Sequence, residues 1–464
     1  MKSSRRGFIK TAIASGAAIG LSSIPVLGEN SNGRIELPES VIEQNKKSKN
    51  VVGLACEPID KVRIGFIGLG MRGPGAVERM MKIEGVEIKA LCDLIPERVK
   101  SVQEMVKKEG RPEALEFYGS DDAWMKMCDR DDIDLIYSCT PWHLHVPNAL
   151  YAMKHGKHVA LEVPAATTVK ECWELVNTAE ETRRHCMMLE NCCYDFFELA
   201  TLNMAREGLF GEIIHAECAY IHDLRWLKFD KEKGYQGMWR LKHSIKHTGS
   251  LYPTHGIGPV AQIMNINRGD KFDYLSSMST NQFGMTLYAN DKFGENSPEA
   301  NQTYKLGDMN TTLVKTDKGH TIMIQHDTTS PRPYSRIHLL SGTKGIAMKW
   351  PQQRVALEPD AHSWLKDEEF KNLMTKYEHP LAKKIGQKAR EVGGHGGMDF
   401  IMDWRLIYCL RNGLPLDQDV YDAASWSALV ELSEISTLNK SKSVEVPDFT
   451  RGAWKTTQPI GIIS

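Results

Sequence analysis

The feature that most constrains the fold is a short apolar run leading directly into three regularly spaced glycines. Val62–Ile67 has strand character, and Gly68, Gly70 and Gly73 follow in the pattern G-x-G-x-x-G. The first glycine permits a tight turn, the second lets the backbone approach a pyrophosphate, and the third lets the next helix pack closely on the strand. The pattern therefore predicts a strand–turn–helix unit that binds a dinucleotide.

A second apolar run ends on an acid, Asp93, twenty residues after Gly73. A carboxylate at this position can accept hydrogen bonds from a ribose diol and would repel a 2′-phosphate. The sequence therefore predicts NAD, rather than NADP, as the cofactor.

Strand and helix patterns alternate from Lys61 to about Glu190, which predicts a parallel sheet covered on both faces. From about Leu199 strand patterns dominate, and two helices are predicted at 398–411 and 421–438. We expect an α/β chain: an N-terminal Rossmann doubly wound parallel sheet and a C-terminal α+β domain with a large, mostly antiparallel open sheet. Within the second part, 285–288 is predicted as a strand and 223–258 as a long substrate loop.

The first residues predict export. Arg5 and Arg6, with Phe8 and Lys10 in register, form a twin-arginine signal before a small-residue apolar stretch that ends near Leu27. We expect a signal peptide at 1–28, a linker at 29–60, an NAD-binding domain at 61–198 and a substrate and oligomerisation domain at 199–464. The predicted location is the periplasm.

Charge and hydropathy exclude two classes of partner. The 58 basic and 59 acidic residues nearly cancel, and no basic block suggests nucleic acid. The apolar stretch near the N-terminus is too short and too rich in small residues to be a good membrane span. We expect a homo-oligomer formed through the C-terminal sheet.

Two histidine-containing motifs could carry chemistry. The first follows an apolar strand and consists of Trp142, His143, Leu144 and His145. Its two histidines could bind a metal, but no third ligand at a suitable spacing completes the set, so we expect no metal. We expect instead a loop that lines the nicotinamide. The second motif is Tyr252, Pro253, Thr254 and His255, between Gly249 and Gly256. Its Tyr and His could supply an acid and a base near neutral pH, or the segment could simply cap a helix.

Long strings through the chain identify its relatives. The strings are GFIGLGMRG at 65–73, CTPWHLH at 139–145, EVPAA at 162–166, MLEN at 188–191, AYIHDLR at 219–225, WRL at 239–241, LYPTHG at 251–256, SPRPY at 330–334 and LDQDVY at 416–421. In these strings the chain resembles the glucose–fructose oxidoreductase and inositol dehydrogenase superfamily, and within it the NAD-dependent glycoside hydrolases of family 109, the α-N-acetylgalactosaminidases.

The resemblance implies roles for individual residues. The cofactor would be lined by Gly68, Gly70, Met71, Arg72, Asp93, Trp142, His143, Leu144, His145, Glu162, Val163 and Asn191. The sugar would be lined by Tyr220, Arg240, Tyr252, Pro253, Thr254, His255 and Tyr334. His255 and Tyr252 are the predicted acid/base groups, with Tyr194 and His243 as reserves.

The resemblance also implies an unusual hydrolysis of an amino-sugar glycoside. NAD takes hydride from C3, a base removes the acidified C2 proton, the aglycone leaves C1, water adds, and the hydride returns. The sugar dehydrogenases of the superfamily carry Glu-Lys-Pro where this chain has Glu162, Val163 and Pro164, and the missing lysine argues against simple sugar oxidation. Two alternatives remain open from the sequence: an exported sugar dehydrogenase, and a sugar-binding protein with a vestigial nucleotide domain.

Overall fold

The computed structural model describes residues 28–38 and 49–460, which fold around two sheets. Residues 1–27 of the predicted signal peptide, including Arg5 and Arg6, lie outside the described residues. Among those that are described, no helix is both long enough and apolar enough to cross a bilayer.

The first sheet is the predicted doubly wound parallel sheet. Its six strands pair in parallel throughout, in the spatial order Leu115–Phe117, Val86–Cys92, Val62–Ile67, Leu135–Ser138, His158–Leu161 and Cys186–Met188. The intervening helices are Gly73–Met81, Pro96–Lys108, Ala123–Cys128, Trp142–Lys154 and Val169–Thr182. Strand order reverses between Val62–Ile67 and Leu135–Ser138, so a crevice opens at their carboxyl ends, where such sheets bind ligands.

These strands form because their side chains can be buried on both faces. Val62, Ile64 and Phe66 are fully buried, as is every residue of Leu135–Ser138. Near-continuous apolar runs are expected of parallel strands covered by helices on each side. Thr168 then starts the helix Val169–Thr182 through a capping box with Glu171, which satisfies backbone N–H groups that would otherwise be left unpaired.

The second sheet has ten strands and is mostly antiparallel, as predicted. Its order is Gly28–Glu29, Ile35–Glu36, Val444–Glu445, Phe272–Ser279, Asn310–Thr316, Thr321–Asp327, Ile213–Ile221, Leu339–Gly342, Gly345–Met348 and Arg354–Leu357. Thr321–Asp327 pairs in parallel with Ile213–Ile221, and Val444 with Ile35. The accompanying helices are Phe196–Arg206, Arg225–Phe229, Trp239–Lys246, Thr254–Ile263, Gly284–Phe293, Asp367–Lys376, Pro380–Val392, Met398–Asn412 and Val420–Leu438.

Three local predictions outside the nucleotide domain are wrong. The strand predicted at 285–288 lies inside the helix Gly284–Phe293. The buried residues of this helix, Met285 and Ala289, are four positions apart, as on one face of a helix. At the helix start, the carboxylate of Asp308 accepts a hydrogen bond from the N–H of Gly284. A four-residue apolar run does not by itself distinguish a strand from a helix. The predicted loop at 223–258 contains Arg225–Phe229 and Trp239–Lys246, and also the start of Thr254–Ile263.

The third concerns the predicted linker at 29–60, whose first residues belong to the large sheet. Ile35 is buried, and its N–H donates to the carbonyl oxygen of Ser443 at 2.8 Å. Burial of this apolar side chain and the backbone pairing together hold the segment on the sheet edge.

Candidate active site

The glycine turn has the shape that a pyrophosphate needs. A Cβ on Gly68 would lie 2.8 Å from the carbonyl oxygen of Cys139, and one on Gly73 would lie 2.1 Å from the carbonyl oxygen of Gly68. Only glycine fits at either position. The backbone at Gly70 is more open, since the nearest atom to an added Cβ would be Arg98 Nη1 at 3.5 Å. With the start of the helix Gly73–Met81 beside it, the turn offers an open backbone and free N–H groups to phosphate.

Asp93 closes the nucleotide site at the end of the neighbouring strand. Its Oδ2 accepts from the N–H of Leu69 at 2.7 Å, its Oδ1 accepts from the N–H of Ile95 at 2.9 Å, and Arg98 Nη1 lies 3.6 Å from Oδ1. The carboxylate is thus fixed beside the glycine turn with lone pairs left for a ribose diol. Glycine turn and acid together fit NAD.

Replacing Asp93 should therefore change both affinity and selectivity for the cofactor. We expect Asp93→Ala to weaken NAD retention roughly 10–100-fold, because hydrogen bonds to a charged group are lost and the turn loses its anchor at Leu69. Asp93→Asn keeps the shape and removes the charge, so its main effect should be relaxed discrimination against NADP. Cofactor occupancy of the purified variants measures both, with the exposed Asp121→Ala as control; unchanged occupancy in Asp93→Ala would contradict this assignment.

Five side chains, some of them predicted from the sequence, meet beside the turn. Arg72 Nε donates to Glu162 Oε1 at 3.0 Å, and Arg72 Nη1 lies 3.3 Å from Asp399 Oδ2. Asn191 Nδ2 donates to Asp399 Oδ1 at 2.5 Å, and His395 Nδ1 lies 2.9 Å from Asp399 Oδ2. Asp399, which the sequence did not single out, is buried and draws Arg72 and Asn191 together. Burial alone would raise the pKa of Asp399, but His395, Arg72 and Arg79 hold it well below its usual range.

The segment 142–145 is the first turn of the helix Trp142–Lys154, not the predicted loop. Trp142 Nε1 donates to the carbonyl oxygen of Val163 at 3.1 Å. The ring nitrogens of buried His145 lie 2.8 Å from the carbonyl oxygens of Pro164 and Thr140, so this ring ties backbone segments together. His143 is exposed and Leu144 half-buried.

Arg240 sits among four aromatic rings. Its guanidinium carbon lies 5.1 Å from the ring centre of Trp142, 4.6 Å from Tyr235, 5.1 Å from Trp239 and 4.8 Å from Tyr252. Cation–π attraction is strongest for such desolvated groups. The arrangement fixes an arginine at the wall of a pocket whose aromatic faces can stack on a sugar ring.

His255 forms a dyad with a buried carboxylate. Its Nδ1 lies 2.7 Å from Glu190 Oε1, and Glu190 also accepts from the N–H of Cys192 at 3.1 Å. Burial would raise the pKa of Glu190, but His255 and the Cys192 N–H outweigh burial and lower it. An ionised Glu190 makes Nδ1 the protonated nitrogen, which leaves Nε2 free to accept a proton.

Tyrosines surround this histidine. The ring of Tyr252 lies 4.9 Å from that of His255 and 4.6 Å from that of Tyr220, and Tyr334 lies 6.4 Å from Tyr220. Burial raises the pKa of Tyr252 well above its usual value, although Arg240 lowers it in part. Tyr252 is therefore a protonated donor at neutral pH. Pro253 and Thr254 are buried at the start of the helix Thr254–Ile263, which orients His255.

The two reserve candidates differ in position. His243 belongs to the aromatic group, with its ring 4.9 Å from that of Trp142, and burial lowers its pKa to about 4. Tyr194 is fully buried and its hydroxyl donates to Asp417 at 3.3 Å. Because Asp417 is in turn paired with Arg405 at 2.8 Å, the hydroxyl of Tyr194 belongs to a buried polar network of the core.

Glu190, Cys192 and His255 also form a potential metal-binding group among the described residues, with one ligand atom from each within 4.8 Å of the others. Burial raises the pKa of Cys192 well above its usual value. A neutral thiol is a weak metal ligand. The contacts therefore favour a hydrogen-bonded His–Glu dyad over a metal site.

Fold and site together define a class of protein. It has a Rossmann nucleotide domain and a second, mostly antiparallel sheet, and the nucleotide crevice faces a histidine–carboxylate dyad and an aromatic pocket. Solved structures share this fold. A levoglucosan dehydrogenase in complex with NADH and L-sorbose superposes with a TM-score of 0.63 at 17% identity, over 84% of this chain and 100% of its own. A scyllo-inositol dehydrogenase from Lactobacillus casei gives 0.58 at 13%, over 83% and 99%. At these identities the likeness concerns the fold.

Sequence comparison is more specific. Residues 62–190 match the model of an oxidoreductase family with an NAD-binding Rossmann fold, and residues 194–456 match the glycosyl hydrolase 109 C-terminal domain. An α-N-acetylgalactosaminidase of Bacteroides fragilis is 57% identical over 408 residues, covering 88% of this chain and 96% of the relative. A glycosyl hydrolase family 109 protein of Shewanella pealeana is 48% identical over the full length of both chains. The chain belongs to glycoside hydrolase family 109, as its sequence predicts, and is an NAD-dependent enzyme.

Proposed function

We propose that this enzyme hydrolyses terminal α-N-acetylgalactosaminides through transient oxidation of the sugar, with NAD regenerated in each turnover. The observation that carries the proposal is the His255–Glu190 dyad, which faces an aromatic pocket next to a complete nucleotide site. A glycosidase that uses two carboxylates needs neither feature.

The cofactor supplies reversible hydride transfer at C3 of the bound sugar. The chain supplies the proton transfers. His255 Nε2, with its tautomer set by Glu190, is placed to take a proton from the sugar and to return it. Tyr252, held protonated by burial, can donate toward the leaving glycosidic oxygen. Aromatic faces around Arg240 orient the ring and exclude water from it.

The experiment that tests this route is hydrolysis in D₂O. Oxidation at C3 makes the C2–H bond acidic, so hydrolysis of p-nitrophenyl N-acetyl-α-D-galactosaminide should place deuterium at C2 of the product without net formation of NADH. NMR of the product and absorbance of NADH are the readouts. A dehydrogenase would accumulate NADH, a binding protein would release no nitrophenol, and a carboxylate-pair glycosidase would leave C2 protonated. Hydrolysis without deuterium, and without a rate effect from a C2-deuterated substrate, would contradict the proposal.

We further propose that the protein is exported by the twin-arginine route to the periplasm. The support is the sequence around Arg5 and Arg6. A route that carries folded proteins suits an enzyme that must acquire NAD in the cytoplasm. Replacing both arginines by lysine should retain the precursor in the cytoplasm, and normal export of that variant would argue against the proposal.

We also propose self-association through the open face of the large sheet. Met278 and Leu313, on neighbouring strands, are 65% and 53% exposed, and exposed apolar side chains on a sheet face are typical of an interface. Light scattering should give an oligomer for the native protein and a smaller species for Leu313→Lys.

A further inference from the structure

A small cavity borders the aromatic side chains of the sugar site, and several of its other lining residues have no assigned role. It shares walls with the sugar site through Trp142, Tyr220, Arg240 and Tyr252, and its far side is formed by Lys228, His326 and Thr328. The space open to the centre of a water-sized sphere is about 20 Å³, and a single water needs roughly 10–15 Å³ on that measure, so the cavity has room for one compact group of a few atoms.

Two basic side chains line this cavity without an ion-pair partner among the described residues. Lys228 is 3% exposed, and its Nζ donates to the hydroxyl oxygen of Thr328 at 2.9 Å. Arg240 is enclosed by aromatic rings, and its Nε is buried without a hydrogen-bond partner. In the part of the chain that the structure describes, neither side chain forms a salt bridge with a carboxylate.

The acids nearest to Lys228 are already engaged by other groups. Asp223 pairs with Arg225 at 2.7 Å, and Asp308 accepts from Thr329 Oγ1 at 2.7 Å. Asp327 accepts from the N–H groups of Thr329 and Ser330 at 3.1 Å. These carboxylates therefore act on the cavity only at a distance.

A further polar atom of the cavity is also without a partner. His326 Nδ1 is buried and unbonded, and burial, together with Lys228 and Arg240, lowers the pKa of His326 to about 3. A neutral imidazole can donate one N–H. The described residues that line the cavity thus present an amine, a guanidinium and an imidazole, and include no carboxylate.

We propose that this cavity binds a small oxyanion, a sulfate or carboxylate group, supplied either as a substituent on the glycoside or as a free anion. Burying Arg240 without an anionic partner is costly, and an anion placed among Lys228, Arg240 and His326 would offset that cost and hold Lys228 protonated through charge-assisted hydrogen bonds. The substituent source rests on the proposed function and narrows its substrate class to anionic amino sugars. The free-anion source does not depend on that function.

Calorimetry with inorganic sulfate tests the cavity independently of hydrolysis. Burial lowers the pKa of Lys228 to about 7, so sulfate binding at pH 7.5 should be saturable and should draw a proton from the buffer. Comparing buffers of different ionisation enthalpy measures that uptake. Lys228→Met should weaken sulfate binding roughly 10–100-fold and abolish the uptake. The control Lys231→Met, at an exposed lysine of the same segment, should do neither.

Hydrolysis rates then identify the source of the anion. C3 must remain free for the proposed oxidation, so the probes are p-nitrophenyl N-acetyl-α-D-galactosaminides sulfated at C4 or C6, compared with the unsulfated glycoside. A higher kcat/KM for a sulfated glycoside that Lys228→Met removes assigns the cavity to the substrate. Saturable sulfate binding without that preference assigns it to a free anion.

Absence of both sulfate binding and sulfated-glycoside preference in the native enzyme would overturn the inference, even if the unsulfated glycoside is hydrolysed. Sulfate affinity that survives Lys228→Met unchanged would overturn it equally. If that variant does not fold, proton uptake by the native enzyme still decides, because sulfate bound elsewhere on the surface would not protonate a buried amine.

Discussion

Replacing His255 by alanine is expected to lower kcat by roughly 10²–10⁴-fold, the usual contribution of a general acid or base. His255 is the titratable group in this pocket whose one ring nitrogen is fixed by Glu190, at 2.7 Å, while the other is free. NAD occupancy should be unchanged, because the nucleotide turn is built from other residues. Steady-state kinetics with a p-nitrophenyl glycoside and cofactor absorbance of the purified variant give the two readouts.

Glu190→Gln separates a positioning role from a structural one. The amide keeps the shape and can still accept from a ring N–H, but it loses the charge that stabilises a protonated His255. We expect a smaller loss in kcat than for His255→Ala, and an acid limb of the pH–rate profile moved to lower pH. The half-exposed histidine His215, which bonds to Thr321 on the large sheet, provides the control: His215→Ala should leave both unchanged. For the His255→Ala variant itself, an unaltered kcat would exclude His255 as the acid or base.

Replacing Glu198 by glutamine is expected to lower the free energy of unfolding by about 3 kcal/mol, the cost of leaving buried charges uncompensated. Glu198 is 2% exposed, and its carboxylate oxygens lie 2.7 Å from Lys349 Nζ and from Arg336 Nη2. Asp195 also contacts both cations, so they keep one anionic partner. We therefore expect a loss at the lower end of the range of about 3–5 kcal/mol that is usual for breaking a buried ion pair. Urea titration measures it, with the exposed Glu207→Gln as control.

The same network gives stability a defined pH dependence. Burial would raise the pKa of Glu198, but Lys349 and Arg336 hold it well below its usual range. Folding therefore depresses this pKa, so the stabilisation is complete above the unfolded value of about 4.3 and is lost progressively as pH falls below it. The difference between native protein and Glu198→Gln should be full at pH 7 and should shrink below pH 4. A difference that stays constant would show that Glu198 is not ionised in the folded state.

Local sequence signals predicted the nucleotide half closely. Val62–Ile67 has the predicted bounds, because a buried parallel strand is a short apolar run ended by a turn and needs no distant partner to be recognised. The predicted alternation of strands and helices from Lys61 to about Glu190 is also confirmed, since signals such as the proline that begins the helix Pro96–Lys108 are local.

Predictions failed where a distant contact decides the outcome. Glu190 lies in the MLEN string, but its partner His255 lies 65 residues further on, and nothing in the spacing joins them. Asp399 joins Arg72 across more than 300 residues. Tyr194, the reserve acid/base candidate, donates its hydroxyl to Asp417 in the core, a contact across 223 residues that no local signal indicates. Residue type suggests what a side chain can do, whereas tertiary packing decides which partner it has.

The helix Met398–Asn412 has a consequence for recombining this enzyme with its relatives. Asp399 and Asp403 reach from it into the nucleotide half, where Arg79 Nε lies 2.8 Å from Asp403 and Arg72 Nη1 lies 3.3 Å from Asp399. A chimera that took residues up to 190 from one parent and the rest from another would separate arginines from carboxylates that are buried together. Such exchanges should yield folded protein only when both members of each pair come from the same parent, so we expect that the two halves must be exchanged as one unit although they carry separate sheets.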